Sequence, residues 1–400
     1  MQQAIVFVET NMTTGRLFVR KCHELGVCPV VLVKNPENFP YLHQDSVPTY
    51  QVDTRSLDQI RAVIDELPYE IIGIWSSGDW GIYQTAVLSR ERGLPSLPPE
   101  AVRICRDKVL QRQVLRDAGL DDVNAWCVTS TNELTSLTEQ LPFPLVLKPA
   151  SASGSIGAKR CETAHELLEH SMFLDAQSLD WVRERRYVLE EYIDGPQYSV
   201  ELFNGSVIAI VRQHYGPPPH FVACGHDFPG TEDERIGGAL AQYASAVALQ
   251  FGLDWGPCHV EIRYDTARRI PRLVEANPRL VGAYVPELLR HAASIDLVDL
   301  SIRNLLEPIG VPQVTPTVSA VMRFLVNDQE GRFIRVNGVD KAALVEGVRD
   351  VTVYPVAGAE LTQEGDFRAR IGHVIAIGST IAAAEAAAQL ALSRMEVILE

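Results

Sequence analysis

The sequence predicts a chain that is α/β at its N-terminus and α+β beyond it. Three observations carry this. Apolar strands alternate with helices over residues 4–92. Two strands of period two flank a polar turn over residues 258–279. After Pro312 the chain changes to short strands and one closing Ala-rich helix. Alternation of strand and helix implies a parallel sheet.

The N-terminal elements follow in order. Ala4–Val8 reads as a buried strand. Thr13 and Thr14 are placed to cap a helix that runs to Leu25 and stops at Gly26. Val30–Val33 and Ile71–Trp75 are further buried strands, and Ser56–Leu67 and Trp80–Arg92 are helices. Ser76-Ser77-Gly78-Asp79 follows a strand, where open α/β sheets bind ligands, although a plain turn reads the same way. The G-x-G-x-x-G fingerprint is missing after the first strand, which weighs against a dinucleotide oxidoreductase.

Composition bounds the rest. The 400 residues are 46% hydrophobic and 22% charged, enough for two or three domains. A net charge of −15 argues against nucleic acid as a main partner and leaves room for a phosphate ligand held by a local basic cluster. The 7 cysteines form no CxxC pair, so zinc is disfavoured and reduced thiols in a cytoplasmic protein are expected. The first apolar run lacks a basic flank and is too short for a signal segment, and no apolar run approaches the ~20 residues that span a membrane.

Gly93-Leu-Pro-Ser-Leu-Pro-Pro99 reads as a linker, followed by one helix from Glu100 to Ala118 with Lys108 and Arg112 on one face. Leu145–Lys148 is a short strand that ends in a lysine and enters a loop containing Ser153, Gly154, Ser155 and Gly157. Such loops turn backbone N–H groups toward phosphate, with a lysine as point charge. The lysine precedes the glycines, so this is not a Walker loop, and a flexible surface hairpin shares the pattern. Val188–Ile193 reads as a strand end, and Tyr198–Val211 as a hairpin turning at Asn204-Gly205. Residues 212–231, rich in Pro, Gly and His, read as one long loop and hence a lid. Helices are expected at Glu232–Phe251 and Pro286–Leu306. Strands are expected at Val318–Leu325, Val351–Tyr354 and His373–Ile377, and a last helix from Thr380 to about Ile398.

The 258–279 stretch carries the most chemistry. With a turn centred near Arg268, Glu261 lies opposite Glu275, and His259 opposite Asn277. Facing carboxylates ~5 Å apart repel, and something must offset that. Mg²⁺ takes few carboxylates and otherwise oxygens, often of substrate phosphates. Asn277 adds a neutral oxygen, and Arg279 is placed to hold a phosphoryl oxygen or carboxylate bidentately. An exposed hairpin with surface acids is the plain alternative.

Lys108, Lys148 with its glycine loop, Glu190-Glu191-Tyr192-Ile193, Glu261 and Glu275-Ala-Asn277-Pro-Arg279 occur in one order over essentially the whole chain. In this the sequence resembles the ATP-grasp superfamily, and within it the amino-acid ligases that make dipeptides. The resemblance implies an N-terminal α/β domain at 1–95 and a two-lobed ATP-grasp core at 96–310 (lobes about 110–195 and 196–310). A C-terminal α+β unit at 311–400 completes the larger lobe. It implies a carboxylate–amine ligase working through an acyl phosphate, with ATP and two Mg²⁺, or Mn²⁺, as cofactors. Lys108 and Lys148 would hold phosphates under the Ser153–Gly157 loop, and Glu190, Glu191, Tyr192 and Ile193 would form the adenine hinge. Gln197 stands where many relatives have a ribose-binding Glu. Glu261, Glu275 and Asn277 would bind metal, and Arg279 would steady the γ-phosphate. His259, Gly282, His220 and His226 are candidate substrate contacts. Partners would be small molecules, with a homodimer left open. A carboxylase acting on bicarbonate is the alternative inside the superfamily, and a nucleotide-binding module without catalysis the alternative outside it.

Overall fold

The computed structural model describes residues 1–176, 186–363 and 365–400. Strands Gln2–Val8 (β1), Cys28–Val33 (β2), Thr49–Gln51 (β3) and Tyr69–Trp75 (β4) form a parallel sheet in the order β3-β2-β1-β4. The parallel sheet expected from the alternation is therefore present. Its first helix begins at Gly15, and the capping oxygen is that of Asn11, not Thr13 or Thr14. Asn11 Oδ1 accepts from the Thr13, Thr14 and Gly15 amides at 3.0, 2.7 and 3.2 Å.

Ala125–Val128 (β5), Leu145–Pro149 (β6), Lys159–Cys161 (β7) and Tyr187–Glu191 (β8) make a small antiparallel sheet, β5-β8-β6-β7. An eight-stranded antiparallel sheet then takes Gln197–Phe203 (β9), Ser206–Tyr215 (β10), Ala223–Phe228 (β11), Pro257–Asp265 (β12) and Ile270–Asn277 (β13). Ser319–Val326 (β14) continues it. Gly331–Asn337 (β15) lies outside it, whereas Val348–Val353 (β16) closes one edge. Glu360–Leu361 (β17) pairs with β15, Arg370–Gly378 (β18) sits between β14 and β16, and Glu396–Leu399 (β19) pairs with β15. The order in the large sheet is β13-β12-β9-β10-β11-β14-β18-β16.

Two cores hold the large sheet. Helix Glu234–Phe251 lays Leu240, Val247 and Phe251 on Val200, Val260 and Ile262. Helices Val285–Ala293 and Leu297–Leu306 bridge to the N-terminal sheet, with Leu288, Leu289 and Ile302 buried against Phe7, Phe18 and Trp75. Removing such side chains from water is the dominant stabilising term.

Several expected elements differ. The helix expected over 100–118 is two, Pro99–Cys105 and Lys108–Asp117. The break is at Asp107, whose carboxylate accepts from the Val109 and Leu110 amides and so starts the second helix with Lys108 as its first residue. The helix expected over 286–306 is also two, separated by Ser294 in the left-handed region. The closing helix is capped by Thr380 as expected but ends at Leu392, because the last residues leave it to form β19. Half of the long loop expected over 212–231 is sheet: β10 runs to Tyr215, β11 covers Ala223–Phe228, and residues 216–222 connect them. Its Pro and Gly content hid two strand ends. The Asn204-Gly205 turn is present, with φ of 48° and 74°.

The small sheet joins the large one through Asp194–Pro196. Gly195 has φ 139°, and a Cβ there would fall 2.0 Å from the Tyr264 carbonyl oxygen. Pro196 accepts from the Tyr264 amide and Asp194 from that of Thr266, which fixes the crossing. Gly195→Ala is therefore expected to lower stability by ~1–3 kcal/mol, read as the midpoint of urea unfolding. An unchanged midpoint would mean that the crossing has room to spare.

Candidate functional site

The cavity between the two antiparallel sheets is lined by charged side chains from four parts of the chain. The hairpin of β12 and β13 has the register expected from sequence: His259 pairs with Asn277 and Glu261 with Glu275, with a bulge after Glu261. Both glutamates line the cavity. Their repulsion is offset within the protein, however, which corrects the expectation that a metal alone would offset it. Glu275 is 2.9 Å from Lys108 Nζ and accepts from Asn277 Nδ2 at 3.1 Å. Burial pushes its carboxyl pKa up, but Lys108 foremost holds it well below the usual range. Glu261 is 3.1 Å from His259 Nε2 and 2.9 Å from Gln197 Nε2.

His259 lies between two carboxylates, its Nδ1 3.0 Å from Glu201. Burial alone would keep the ring neutral, but Glu201 and then Glu261 raise its pKa to about 10. His259 thus holds Glu261 in place, and both its ring nitrogens are engaged. Gln197 Nε2 is also 2.9 Å from Gln213 and from the Tyr215 hydroxyl, while its oxygen accepts from Arg263 at 3.0 Å. A glutamate at 197 would place a second negative charge beside Glu261, so the amide suits this position. Burial and the charge of Glu261 push the Tyr215 hydroxyl well above its ordinary pKa.

Other cations share carboxylates in pairs. Lys148, at the end of β6, is 2.5 Å from Glu190 Oε1, and Arg112 is 2.9 Å from Glu190 Oε2. Burial, with Arg112 and Lys108 nearby, lowers the Lys148 pKa, and Glu190 works against that shift. Glu190 is thus the counter-ion of Lys148, and its main chain is paired with both β5 and β6. It also lines the cavity, beside Glu191, Tyr192 and Ile193. The Glu191 and Tyr192 amides also donate to the carbonyls of Asn124 and Pro144, the residues just before β5 and β6. The Tyr192 ring carries Arg160 and Arg263 on its faces, at 4.1 and 5.0 Å. Ile193 lines the cavity and its carbonyl accepts from Arg263.

Arg279 lies on the cavity wall, but its Nε and one Nη form a bidentate pair with Asp79, at 2.9 and 3.0 Å. Arg106 approaches the same carboxylate at 3.1 Å. Burial pushes Asp79 up, and Arg279 and Arg106 more than offset that, holding it far below the carboxylate range. Sequence reasoning marked the 76–79 turn without linking it to Arg279, 200 residues away. Glu201 was missed although Gln197, Ser199 and Glu201 form a polar face on a strand, which is a legible signal.

The glycine loop is tied down. Gly154 and Ser155 line the cavity with φ of 66° and 63°. Lys108 Nζ donates to the Ala152 carbonyl at 2.5 Å, and Ser153 bonds to Asp79. Gly157 is not among the lining residues: a Cβ there would meet Leu174 and Pro149, so its smallness serves packing. His220 is outside the lining too, bridged to Lys159 with its ring against Gly365. Gly282 and His226 do line it.

The residues fit Mg²⁺ as a hard cation. The donor set is oxygen-only: two facing carboxylates and the amide oxygen of Asn277. Among the described residues no group of three or more His, Cys, Asp or Glu forms a metal site. Further ligands would therefore have to be water and phosphate.

Comparison with known proteins agrees with this geometry. A model of the ATP-grasp domain matches residues 141–287, and one of the L-amino acid ligase C-terminal domain 2 matches residues 323–400. An uncharacterized protein, y4rH, of Sinorhizobium fredii is 30% identical over 398 residues, covering 99% of this chain and 83% of the relative. A D-alanine–D-alanine ligase of Anaplasma marginale is 29% identical over 213 residues, 50% of this chain and 61% of that protein. The crystal structure of an L-amino acid ligase from Bacillus licheniformis superposes with TM-score 0.82 at 19% identity, covering 100% of this chain and 99% of that one. The two domain matches point to one class, the ATP-grasp enzymes, and the shared fold agrees with them. The chain belongs to the ATP-grasp superfamily of carboxylate–amine ligases and resembles its L-amino acid ligases.

His226 gives a pH test of the wall. It is buried, and burial together with the charge of Arg370 lowers its pKa to about 3. A depressed histidine contributes stability that is present above its unfolded pKa of ~6.5 and is lost as pH falls toward the folded value. His226→Gln is therefore expected to gain on wild type as pH drops from ~6.5, by up to about 1.4 kcal/mol per pH unit. Parallel urea-midpoint profiles for the two proteins would show that His226 titrates normally.

Proposed function

We propose that the chain is an ATP-dependent ligase that joins the carboxylate of an amino acid or related acid to an amine through an acyl phosphate. The observation that supports this best is the set of cation–carboxylate pairs around one cavity: Lys108 with Glu275, Lys148 with Glu190, and Arg279 with Asp79. A carboxylate oxygen attacks the γ-phosphorus of ATP and the bond to ADP breaks. The amine nitrogen then attacks the acyl carbon, phosphate leaves with the bonding electrons, and the amine proton goes to solvent or a base. Such transfer needs positioned charge rather than a protein nucleophile.

On this reading Lys108 and Lys148 bind the ATP phosphates under Ser153–Ser155, and Glu191, Tyr192 and Ile193 border the adenine. Glu261, Glu275 and Asn277 would hold two Mg²⁺, which when bound neutralise phosphate charge. Arg279 orients the reacting carboxylate, and His226 and Gly282 face the substrate. The reaction would run in the cytoplasm, with a homodimer as a natural assembly.

ADP release across a matrix of amino-acid pairs, with mass spectrometry of products and a bicarbonate arm, tests the reading. ADP release that needs bicarbonate and no amine would overturn it. Glu275→Gln is expected to remain folded and lose turnover at ordinary Mg²⁺. Lys148→Ala is expected to reduce kcat/KM for ATP by ~2–4 kcal/mol. Undiminished ATP dependence in the latter would remove Lys148 from the phosphate site.

A further inference from the structure

The basic side chains of the cavity differ in what balances them. Lys108, Lys148 and Arg279 each hold a carboxylate. Arg263 donates to the Gln197 side chain and the Ile193 carbonyl. Arg370, the first residue of β18, holds no carboxylate and has one backbone acceptor. Its guanidinium lies over the rings of Phe324 and Phe367, at 4.6 and 5.8 Å, and its Nε donates to the Phe367 carbonyl at 3.2 Å. Among the described residues no carboxylate oxygen lies within 4.0 Å of it. Burial pushes its pKa down, and the charges of Tyr354, Tyr215 and Asp366 work against that shift. Yet it lines the cavity.

The neighbouring wall has polar groups to match. His226 is only 3% exposed, lines the same cavity, and both its ring nitrogens lack a hydrogen-bond partner. Tyr215 lines it too, and the charge of Arg370 acts on both side chains. Buried polar groups are normally satisfied, so the two open nitrogens of His226, beside a half-buried guanidinium that no carboxylate contacts, mark a place for a polar, anionic group. In the sheet order β13-β12-β9-β10-β11-β14-β18, Arg370 enters from the far side relative to the Glu275 strand.

We propose that Arg370 anchors a substrate carboxylate other than the one that is activated, with His226 and Tyr215 facing the same subsite; the distinction between the two carboxylates rests on the ligase reading above. The guanidinium fork matches a carboxylate bidentately. A ligase must keep a second carboxylate away from the γ-phosphate, and a cation at the opposite wall does so. That carboxylate belongs either to an amino-acid nucleophile or to a diacid, and the chemistry at Arg370 is the same for both.

Full-length wild type, Arg370→Gln and Arg370→Lys are compared by thermal shift with L-alanine, L-alaninamide and succinate. Unliganded melting temperatures report folding. At least one carboxylate probe is expected to stabilise wild type, L-alaninamide less than L-alanine. Apparent Kd should rise roughly tenfold to a hundredfold in Arg370→Gln and recover in part with lysine, which keeps the charge if the glutamine variant folds poorly. Equal responses of wild type and Arg370→Gln to every probe, including no response from either, overturn the subsite. ATP-dependent hydroxamate formation with hydroxylamine, which has no carboxylate, then separates the sources. A larger KM rise for the amino-acid nucleophile assigns the anchor to it, and a larger rise for the acid assigns it to a diacid. Absence of hydroxamate in wild type with every acid counts against the ligase reading alone, while the binding comparison still decides Arg370.

Discussion

The pairing of buried charge is the constraint on which the site depends. An ion moved from water into protein loses solvation that only a close, well-oriented partner restores. Here the partners come from different elements. Asp79 leaves the N-terminal sheet to meet Arg279, Glu275 of β13 meets Lys108 at the start of a helix, and Glu190 of β8 meets both Lys148 of β6 and Arg112. Arg112 also donates to the Leu273 carbonyl and pairs with Asp121. The same contacts that make these charges tolerable therefore dock the N-terminal sheet and the small sheet onto the large one. Charge placement and domain arrangement are one problem with one solution.

The fold was legible where local chemistry decides it. Alternating apolar runs and helices announced the parallel sheet, and Asn204-Gly205 announced its hairpin, because positive φ at two successive residues favours those two. The register that puts Glu261 opposite Glu275 followed from a turn centred near Arg268. Residues 212–231 failed for a physical reason. Strand pairing between β10 and β11 depends on neighbours distant in sequence, and Pro-rich composition reports only the short connection between them. The break at Asp107 was likewise hidden, since a cap residue inside a helical pattern shows itself only when its side chain turns back on the backbone.

The site was legible as a list and illegible as a circuit. Residue types pointed to phosphate, metal and substrate roles. Nothing in the sequence assigned Glu190 to Lys148 or Asp79 to Arg279, because those pairs depend on how the sheets meet. His259 shows the same limit. Strand alternation placed it beside Glu261, while its second partner, Glu201, arrives from β9 and turns it into a cation between two acids.

These observations separate two layers in the cavity. One is the set of compensated cations around Glu275 and Glu190, built from the parts matched by the ATP-grasp model and the helix that carries Lys108. The other is the wall carrying His226, whose ring nitrogens are unpartnered, and Arg370, which no carboxylate contacts; its chain comes from β11 and from the region matched by the L-amino acid ligase model. Residues Phe367 and Gly154 join the layers: the Phe367 amide donates to the Gly154 carbonyl, and a Cβ on Gly154 would fall 2.7 Å from the Phe367 ring. The position of the glycine loop is thus coupled by direct contact to the segment that presents Arg370.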